Sequence, residues 1–532
     1  GTSVQRRNKP EVLAPAGNLR GLKTAVDYGA DAVYCGGKAF GMRSAPKNLS
    51  LEDFEEGARY AHERGARVYV TFNVLPRNNE VEAMREYLGK LKDTGVDARI
   101  VCDIGVMLMA RQVAPNLELH VSTQAGVTNY QAANAFYELG ARRVVLAREM
   151  DLQAVRDIRA RIPDDLDIEC FVHGAMCMAF SGRCLFSNYL TGRDGNHGEC
   201  AQPCRWKYSI VEEKRPGQYF PIEQTAEGAY LFNSQDMNML AHIDDLLDSG
   251  ATSLKIEGRS KSAYYIAAMT NAYKTAVNEY MVQRGFEDAD GNVLKPFRDR
   301  VIRPGDPEYG KPDTEDAIMA NADGAFAGKP DIDAVPVGGV PSGNVSAGNV
   351  SSGNIAIGEP DNLSYHARST RRKSNTAAEI LPEGWHHAGV RPAPHVTLPD
   401  WLLDEPDKVA HRDYSTGFYY PEHKVRQSTD RSAYFRAWLV VGEVLSWSPE
   451  DGGRVTIMSR NKIEAGQNVE FVLPGAAPLA YTVPAGGFRD ADGHWVEAIN
   501  NPAHVFSMPC PQEVPVNAAI RSRTKQPTLK AE

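Results

Sequence analysis

The chain contains 532 residues, of which 42% are hydrophobic and 24% are charged, and its formal net charge is −9. The length exceeds what one hydrophobic core can organise, and the composition excludes a wholly disordered protein. The acidic balance excludes a uniformly basic nucleic-acid-binding surface, so any RNA contact requires a local basic patch. No apolar run approaches the ~18 residues of a membrane span and no secretory signal is visible, so we expect a cytoplasmic protein without membrane contact.

Short β-rich runs alternate with amphipathic helical patterns over the first half of the chain. Several helical patterns, such as 19–28, 51–64, 81–94 and 129–139, are followed by glycine, which commonly ends a helix. Eight rounds within about 270 residues predict a (β/α)8 TIM-type barrel. A doubly wound open sheet is the alternative, but its Gly-x-Gly-x-x-Gly fingerprint is missing after the first strand. The predicted strands are Glu11–Ala16, Ala32–Gly36, Val68–Leu75, Arg99–Asp103, Glu118–Ser122, Arg143–Arg148, Asp167–Gly174 and Ser253–Arg259.

The remaining sequence divides by composition. Residues 285–404 are rich in Gly, Pro, Asp and Asn, which is typical of a low-complexity linker or insertion. Strand-like runs joined by Gly- and Pro-containing turns follow, and they predict a small all-β barrel domain. The predicted organisation is a polar tail at 1–10, the barrel at 11–284 with a Cys-rich excursion at 175–210, the linker at 285–404, a connecting segment at 405–432, the β domain at 433–520 and a basic tail at 521–532.

Ionisable side chains cluster on one face of the last two predicted barrel strands. Glu169 and His173 share a face of the seventh strand, and three charged residues share a face of the eighth, because strand side chains alternate. Active sites of such barrels lie at the C-terminal strand ends. Two interpretations remain: a structural ion network within the barrel, or a polar mouth that binds a charged small molecule, which we favour. The candidates on the eighth strand and at other strand ends are Lys255, Glu257, Arg259, Asn73, Asp103, Ser122, Gln124, Arg148, Asn233 and Asp236.

Four of the eight cysteines lie within 28 residues, directly after the seventh strand. They are Cys177, Cys184, Cys200 and Cys204, separated by six, fifteen and three residues. In a reducing compartment, such a cluster is typical of metal ligands rather than disulfides. Four thiolates can hold a tetrahedral zinc ion or an iron–sulfur cluster, and the spacing alone leaves both possibilities open, beside four unligated cysteines.

The stretch from Glu169 to Cys184, ECFVHGAMCMAFSGRC, closely resembles the signature of the collagenase-like peptidase U32 family. Four further blocks resemble the same family: LAPAG at 13–17, NSQD at 233–236, KIEGR at 255–259 and YSTGF at 414–418. Despite its label, that family includes oxygen-independent hydroxylation proteins that act on ubiquinone precursors, on ribosomal RNA or on the wobble uridine of tRNA. The segment GECAQPCR at 198–205 and the terminal β domain are most similar to the tRNA branch.

The resemblance implies a cofactor and a co-substrate. Hydroxylating members carry a [4Fe–4S] cluster on four cysteines, and the RNA-acting ones are linked to prephenate as the hydroxyl source. The resemblance therefore assigns the cluster to Cys177, Cys184, Cys200 and Cys204, with zinc as the alternative metal. Some relatives carry the fourth cysteine near the position of Asn238, so Cys204 is the substitute here and Cys35 the reserve.

The first functional hypothesis is a tRNA-modifying enzyme that forms 5-hydroxyuridine. Arg148, Lys255 and Arg259 are candidates for the carboxylates of a prephenate-like donor, because guanidinium and ammonium groups suit them. His173 and Glu169 are candidates for proton transfer. Asn73, Asn233, Asp236 and Glu257 complete the predicted substrate site.

Two alternatives belong to other functional classes. A peptidase would use Cys177 as its nucleophile with His173 as its base. A zinc-stapled, non-catalytic scaffold would deliver RNA or a partner. For RNA contact, the candidates are a basic cluster near Arg371, the tail, and aromatic residues of the β domain for which core packing is the favoured interpretation. The tail and aromatic candidates are Arg521, Arg523, Lys525, Tyr434, Phe435 and Trp438.

Overall fold

A computed structural model provides the structure of the chain. It describes residues 9–37, 49–73, 75–163, 165–176, 209–210, 220–221, 235–258, 261–294, 297, 395–421 and 436–524. The four clustered cysteines, Asn233, Arg259 and the basic cluster near Arg371 lie outside these residues. In the part of the chain that is described, no helix has both the length and the apolar character that crossing a bilayer requires.

Eight parallel strands of the first sheet form a closed barrel. Each strand pairs with its neighbour, and the last strand pairs with both the first and the seventh, so the sheet closes. The predicted TIM-type barrel is confirmed, and the open-sheet alternative is wrong. Three short strands lie between the last two barrel strands in the chain, so these two are numbered β7 and β11. The barrel strands are β1 (Glu11–Ala16), β2 (Ala32–Gly36), β3 (Arg67–Phe72), β4 (Ala98–Val101), β5 (Glu118–Val121), β6 (Ala141–Val145), β7 (Asp167–Gly174) and β11 (Ser253–Ile256).

Helices cover the outside of the barrel, and polar residues cap their first turns. Asn18, Ser50 and Asp151, for example, each accept a hydrogen bond from a backbone N–H three residues on. Gly29 follows the first helix with φ at 101°, a left-handed conformation that glycine adopts without strain. The helices are α1 (Leu19–Asp27), α2 (Leu51–Glu63), α3 (Val81–Leu91), α4 (Ile104–Val113), α5 (Tyr130–Glu138), α6 (Leu152–Arg159), α7 (Ile243–Ser249) and α8 (Ala263–Gln283).

Short strands outside the barrel wall extend β7 at the mouth. Strand β10 (Asp236–Asn238) pairs antiparallel with the end of β7, and β12 (Tyr414–Ser415) pairs with β10. A two-residue pair, β8 (Ser209–Ile210) and β9 (Phe220–Pro221), lies between β7 and β10 in the chain. The segment around β12, which follows the predicted linker, therefore lies next to β10 at the barrel mouth.

Both ends of the predicted linker pack onto the barrel. Phe286 and Phe297 stack edge to face at 5.8 Å and belong to the barrel's outer core. At the other end, Leu402 of the short helix α9 (Asp400–Asp404) is buried in the same core. The barrel domain therefore includes residues on both sides of the boundaries predicted at 285 and 404.

The C-terminal domain is one curled antiparallel sheet around its own core. Its eight strands have the order β17-β16-β22-β13-β14-β21-β18-β19, and the Tyr481 hydroxyl of β17 donates to the Pro509 carbonyl of β21. The predicted all-β domain is confirmed. Its strands are β13 (Trp438–Ser448), β14 (Arg454–Ser459), β16 (Asn468–Phe471), β17 (Leu479–Thr482), β18 (Phe488–Asp490), β19 (Trp495–Val496), β21 (Val505–Pro509) and β22 (Ala519–Arg523), with β15 (Ile463–Glu464) and β20 (Ala498–Ile499) as a separate pair.

A buried ion pair joins the two domains. The Arg521 guanidinium of β22 donates to both carboxylate oxygens of Glu405, at 2.6 and 3.0 Å, and both side chains are fully buried. Close by, the Tyr28 hydroxyl at the end of α1 donates to the Val472 carbonyl at 2.7 Å. The basic tail predicted from 521 is therefore wrong at its start, since Arg521 lies inside a strand and is not available to RNA.

Candidate active site at the barrel mouth

An arginine at the centre of the barrel organises its polar interior. Arg143 of β6 is 2% exposed and donates to the carboxylates of Glu11 and Glu169, the latter at 3.1 Å. Ser253 and Tyr69 contribute further hydrogen bonds, at 3.2 and 3.4 Å. Burial disfavours the charged guanidinium, but the Glu11 carboxylate and its neighbours outweigh that effect and hold the pKa of Arg143 well above its ordinary value. The lower barrel is thus a compensated ion network.

Glu169 connects this interior network to the barrel mouth. The second carboxylate oxygen of Glu169 lies 3.5 Å from the Lys255 ammonium of β11. Lys255 is 7% exposed, and its ammonium lies 4.5 Å from the centre of the Tyr34 ring and 4.9 Å from that of Phe171. The structural interpretation predicted a network of Lys255, Glu257 and Glu169, and it is correct for the pair of Lys255 and Glu169. Glu257 is not part of that pair, because its carboxylate instead accepts the Ala175 backbone N–H at 3.0 Å.

A second cation lies on the same aromatic ring. The Arg148 guanidinium, just beyond β6, lies 4.0 Å from the centre of the Phe171 ring. Arg148 is half-buried, so part of it reaches the solvent at the C-terminal end of the barrel. Lys255 and Arg148 therefore flank one phenyl ring at the mouth, and cations held in this way attract anionic groups.

The structure places His173 away from the barrel interior, contrary to the prediction. The register between β7 and β11 shifts at a bulge, so that Lys255 pairs with Phe171 but Ile256 pairs with His173. A bulge changes the alternation of side chains along a strand. The His173 ring consequently faces the helix layer, where it contacts Tyr273 of α8 at 5.5 Å and Tyr414 of β12 at 5.4 Å between ring centres. Glu169 and His173 therefore do not share one site.

The hydrogen bonds of His173 define its neutral form. The Tyr273 hydroxyl donates to the Val172 carbonyl at 2.9 Å, so it accepts from Nδ1 of His173, also at 2.9 Å. The other ring nitrogen, Nε2, lies 3.4 Å from the Tyr414 hydroxyl. Burial lowers the pKa of His173 to about 3, although Asp236 acts in the opposite direction. The imidazole is thus neutral at physiological pH and fixes the end of β7.

The other predicted polar residues lie in different environments, and some of them have structural roles. Asp236 is buried on β10, where its carboxylate accepts the Arg412 backbone N–H at 3.1 Å. Asp103 and Ser122 cap helical turns, which are structural roles. Gln124 accepts a weak hydrogen bond from the Cys102 thiol at 3.7 Å, and Asn73 is half-buried after β3. Asp236 and Asn73 keep their predicted roles as hypotheses.

The reserve cluster ligand has an unsuitable position. Cys35 is fully buried and shares its face of β2 with Val33, in the layer between strands and helices. Tyr34, the residue between them, belongs to the cluster inside the barrel. The thiol of Cys35 therefore faces away from the barrel interior, which favours Cys204 as the fourth ligand. Asn238, near which the family resemblance led us to expect the fourth cysteine of some relatives, accepts the Leu240 backbone N–H at 3.1 Å.

Sequence reasoning did not single out several residues of this site. Glu11, Tyr69 and Arg143 hold the interior network, and the ring of Phe171 contacts both mouth cations. The same alternation argument that selected Glu169 could have placed Arg143 on the inner face of β6. Tyr273 and Tyr414 offered no such signal, because their helix and two-residue strand reach His173 only through the tertiary fold.

The comparisons with known proteins follow the same domain division. The model of peptidase family U32 matches residues 17–306, more than half of the chain. The chain belongs to peptidase family U32. The model of the peptidase family U32 C-terminal domain matches residues 436–521, which are the curled β sheet. The resemblance inferred from the motifs is therefore confirmed.

Curated relatives match about half of this U32 protein. The chain is 40% identical over 272 residues to a tRNA hydroxylation protein P1 of Bacillus subtilis, covering 51% of this chain and 64% of that protein. It is 43% identical over 295 residues to a tRNA hydroxylation protein P of Helicobacter pylori, covering 54% and 70% respectively. An uncharacterized protease of Methanocaldococcus jannaschii is 42% identical over 274 residues, covering 51% and 66%. The chain thus spans about two thirds of these relatives.

Proposed function

We propose that this U32 protein is a tRNA-modifying enzyme that adds a hydroxyl group to carbon 5 of the wobble uridine. The observation that carries the proposal is the pair of cations, Lys255 and Arg148, that both contact the Phe171 ring at the barrel mouth. The names of its relatives from B. subtilis and H. pylori support RNA hydroxylation as the reaction class. The mouth supports a site for an anionic co-substrate.

The co-substrate that fits this mouth is a small carboxylate such as prephenate. The ammonium of Lys255 is held from below by Glu169 at 3.5 Å and from the sides by two aromatic rings, so its position is fixed before the donor binds. Arg148 offers a planar guanidinium that matches a carboxylate. Glu169 is therefore a positioning residue for Lys255, while Lys255 and Arg148 bind the donor.

A [4Fe–4S] cluster is the cofactor that suits the donor set. Four thiols within 28 residues provide soft ligands of the kind that iron–sulfur clusters require. They belong to Cys177, Cys184, Cys200 and Cys204. Exchanging the hydrogen at carbon 5 for a hydroxyl group oxidises the base by two electrons, so the reaction needs an acceptor for both of them. A [4Fe–4S] cluster on these cysteines would pass electrons to that acceptor one at a time. Strand β7 ends at Gly174, three residues before the first of these cysteines.

The geometry at the end of β7 requires glycine. Gly174 has φ at 104°, and a Cβ atom there would lie 2.8 Å from the Glu257 carbonyl oxygen. The strand end and Glu257 thus approach more closely than any side chain at position 174 allows. This contact directs the chain beside the barrel mouth just before the cysteine-rich segment begins.

The peptidase alternative requires a general base, and His173 is poorly suited to that role. It requires His173 to accept a proton from Cys177, but His173 is 2% exposed and its pKa is lowered to about 3 by burial. Its Nδ1 is bonded to Tyr273, and Tyr414 lies against Nε2. An imidazole so placed is a weak general base near neutral pH.

The proposal is tested by nucleoside analysis of tRNA from a strain that lacks the gene. We expect 5-hydroxyuridine and its derivatives to disappear, to return with the wild-type gene, and not to return with Cys184→Ala. A Cys510→Ala variant is the matched control, because Cys510 is buried in the β domain away from the barrel. In a strain without a redundant pathway, unchanged wobble uridine after deletion would contradict the proposal.

A further inference from the structure

One face of the β domain carries an exposed tryptophan between two arginines. Trp495 on the edge strand β19 is 63% exposed, which is unusual for so large an apolar ring. The Arg489 guanidinium lies 4.4 Å from the ring centre and that of Arg454 lies 5.8 Å from it. We name this surface, Trp495 with Arg489 and Arg454, the tryptophan platform.

The strand register places the platform on the solvent side of the sheet. Ser507, Arg489 and Trp495 are direct cross-strand partners on β21, β18 and β19, so their side chains share one face. Their neighbours Phe488 and Phe506 point to the other face and are buried in the domain core. The platform is therefore an ordered row of side chains on a sheet surface.

Neither arginine of the platform has an acidic partner among the described residues, and hydrogen bonds hold Arg454 in place. Arg454 donates to the Ser507 hydroxyl at 3.0 Å and to the Gly487 carbonyl at 2.9 Å. Among the described residues, no carboxylate lies within ion-pairing distance of Arg454 or Arg489. Partial burial lowers the pKa of Arg454, and repulsion by Arg489 acts in the same direction, against the attraction of Asp451. Two guanidinium groups kept together in this way favour an anionic ligand.

Of the three aromatic candidates predicted from the sequence, Tyr434 and Phe435 lie outside the described residues, and Trp438 has a different environment from Trp495. Trp438 is covered by Lys408, Arg521 and Arg523, at 4.8, 5.6 and 5.4 Å from its ring centre. Arg521 is part of the buried ion pair with Glu405. Trp438 therefore belongs to the contact between the two domains, and its ring face is not open to a base.

We propose that the tryptophan platform binds a single-stranded segment of the RNA substrate, with one base stacked on Trp495 and adjacent phosphates on Arg489 and Arg454. A flat indole on a sheet surface suits any base, and guanidinium groups suit phosphate and can also stack. An acidic protein segment would satisfy the arginines but would leave the exposed indole without a planar partner. This inference rests on the proposed function, because it assigns a contact surface for the same substrate.

Binding of a fluorescently labelled anticodon stem-loop to the full-length protein tests the platform. We expect Trp495→Ala to weaken binding about tenfold to a hundredfold and Trp495→Phe to retain most of it, since stacking is the main contribution. Arg489→Gln is expected to weaken binding and to reduce the salt dependence by about one counterion. The matched control is Arg460→Gln, an exposed arginine of the same domain that is paired with Glu443.

The outcomes separate the platform from the proposed function. Equal binding by wild type and Trp495→Ala, with unchanged thermal unfolding, overturns the platform, as does a wild-type protein that does not bind the stem-loop. Competition by poly-glutamate as strong as by the stem-loop overturns it in favour of an acidic protein partner. If binding depends on Trp495 but gene deletion leaves 5-hydroxyuridine unchanged, the platform stands and the proposed reaction fails.

Discussion

The Lys255 ammonium and the Glu169 carboxylate lie 3.5 Å apart, on strands β11 and β7 at the top of a buried ion network. Below them, Arg143 bonds the other Glu169 oxygen at 3.1 Å and also the Glu11 carboxylate. The interior carboxylates are thus compensated by Arg143, and the network ends at the mouth with the Lys255 ammonium. The structural interpretation therefore holds for the interior of the barrel, and the ligand-binding interpretation stays a prediction for the mouth.

Replacing Lys255 by methionine should weaken the binding of the carboxylate donor. The loss of one charge-assisted contact is worth roughly 1.5–3 kcal/mol, so we expect about tenfold to a hundredfold lower affinity for prephenate in calorimetric titration. Folding should be affected less, because Glu169 keeps its bond to Arg143. Lys90→Met, at a lysine that is 60% exposed on α3, is the control. Unchanged donor affinity in Lys255→Met would place the donor elsewhere.

Replacing Arg143 by methionine should strongly destabilise the barrel. The substitution leaves the Glu11 and Glu169 carboxylates buried without their main partner, which typically costs about 3–5 kcal/mol. Urea unfolding of the full chain measures the loss. Arg85→Met removes an exposed pair with Glu82 on α3 and should cost less than about 0.5 kcal/mol. Similar losses for the two variants would show that the interior network contributes little.

His173 should make the protein less stable as the pH falls. Its pKa is about 3 in the folded chain and about 6.5 when unfolded, so the unfolded state binds the additional proton between these values. The stabilisation is complete above about pH 6.5 and is lost progressively below it. Between pH 7 and pH 5 the loss is about 2 kcal/mol for this one group.

A non-titrating variant isolates this effect from other groups. His173→Asn keeps a donor for the Tyr273 hydroxyl but binds no proton, so its free energy of unfolding should fall less between pH 7 and pH 5 than that of wild type. The difference between the two slopes, measured by urea unfolding, reports His173 alone. Parallel slopes would mean that His173 titrates normally in the folded protein.

Replacing both partners of the ion pair between the domains should cost less unfolding free energy than replacing Arg521 alone. Arg521→Met leaves the buried Glu405 carboxylate with only Lys408, at 3.9 Å, as a cationic partner, and we expect a loss of about 3–5 kcal/mol in unfolding free energy. The double variant Arg521→Met with Glu405→Leu should recover much of that loss, since two apolar groups then replace the pair. A double variant as unstable as the single one would show that Arg521 acts through Glu470 and Tyr264 instead.

The barrel was predictable from the sequence because its signals are local. Strands β1, β2 and β7 have the predicted bounds, since β-rich runs mark all three and Gly29 after the preceding helix also marks β2. The strands β10 and β12 were not predicted, because two or three residues carry no periodicity. Their positions depend on pairing with the end of β7.

The site was predictable only as far as side-chain alternation continues. Glu169 and Lys255 lie before the bulge and meet as expected, whereas His173 lies after it and faces the helices. One unpaired residue in β7 changes the face of every later side chain, and no pattern in the sequence marks it. The buried partner of Arg521 is equally invisible, because Glu405 lies 116 residues away in the chain.

Iron content and visible absorption of the anaerobically purified protein test the central claim most directly. We predict a brown protein with about four iron atoms per chain, lost in Cys177→Ala, Cys184→Ala, Cys200→Ala and Cys204→Ala. Cys35→Ala should keep the spectrum, because that thiol is buried in the helix-facing layer of the barrel. A colourless protein that holds zinc, or a spectrum that survives Cys184→Ala, would contradict a redox cluster beside the Lys255 and Arg148 site.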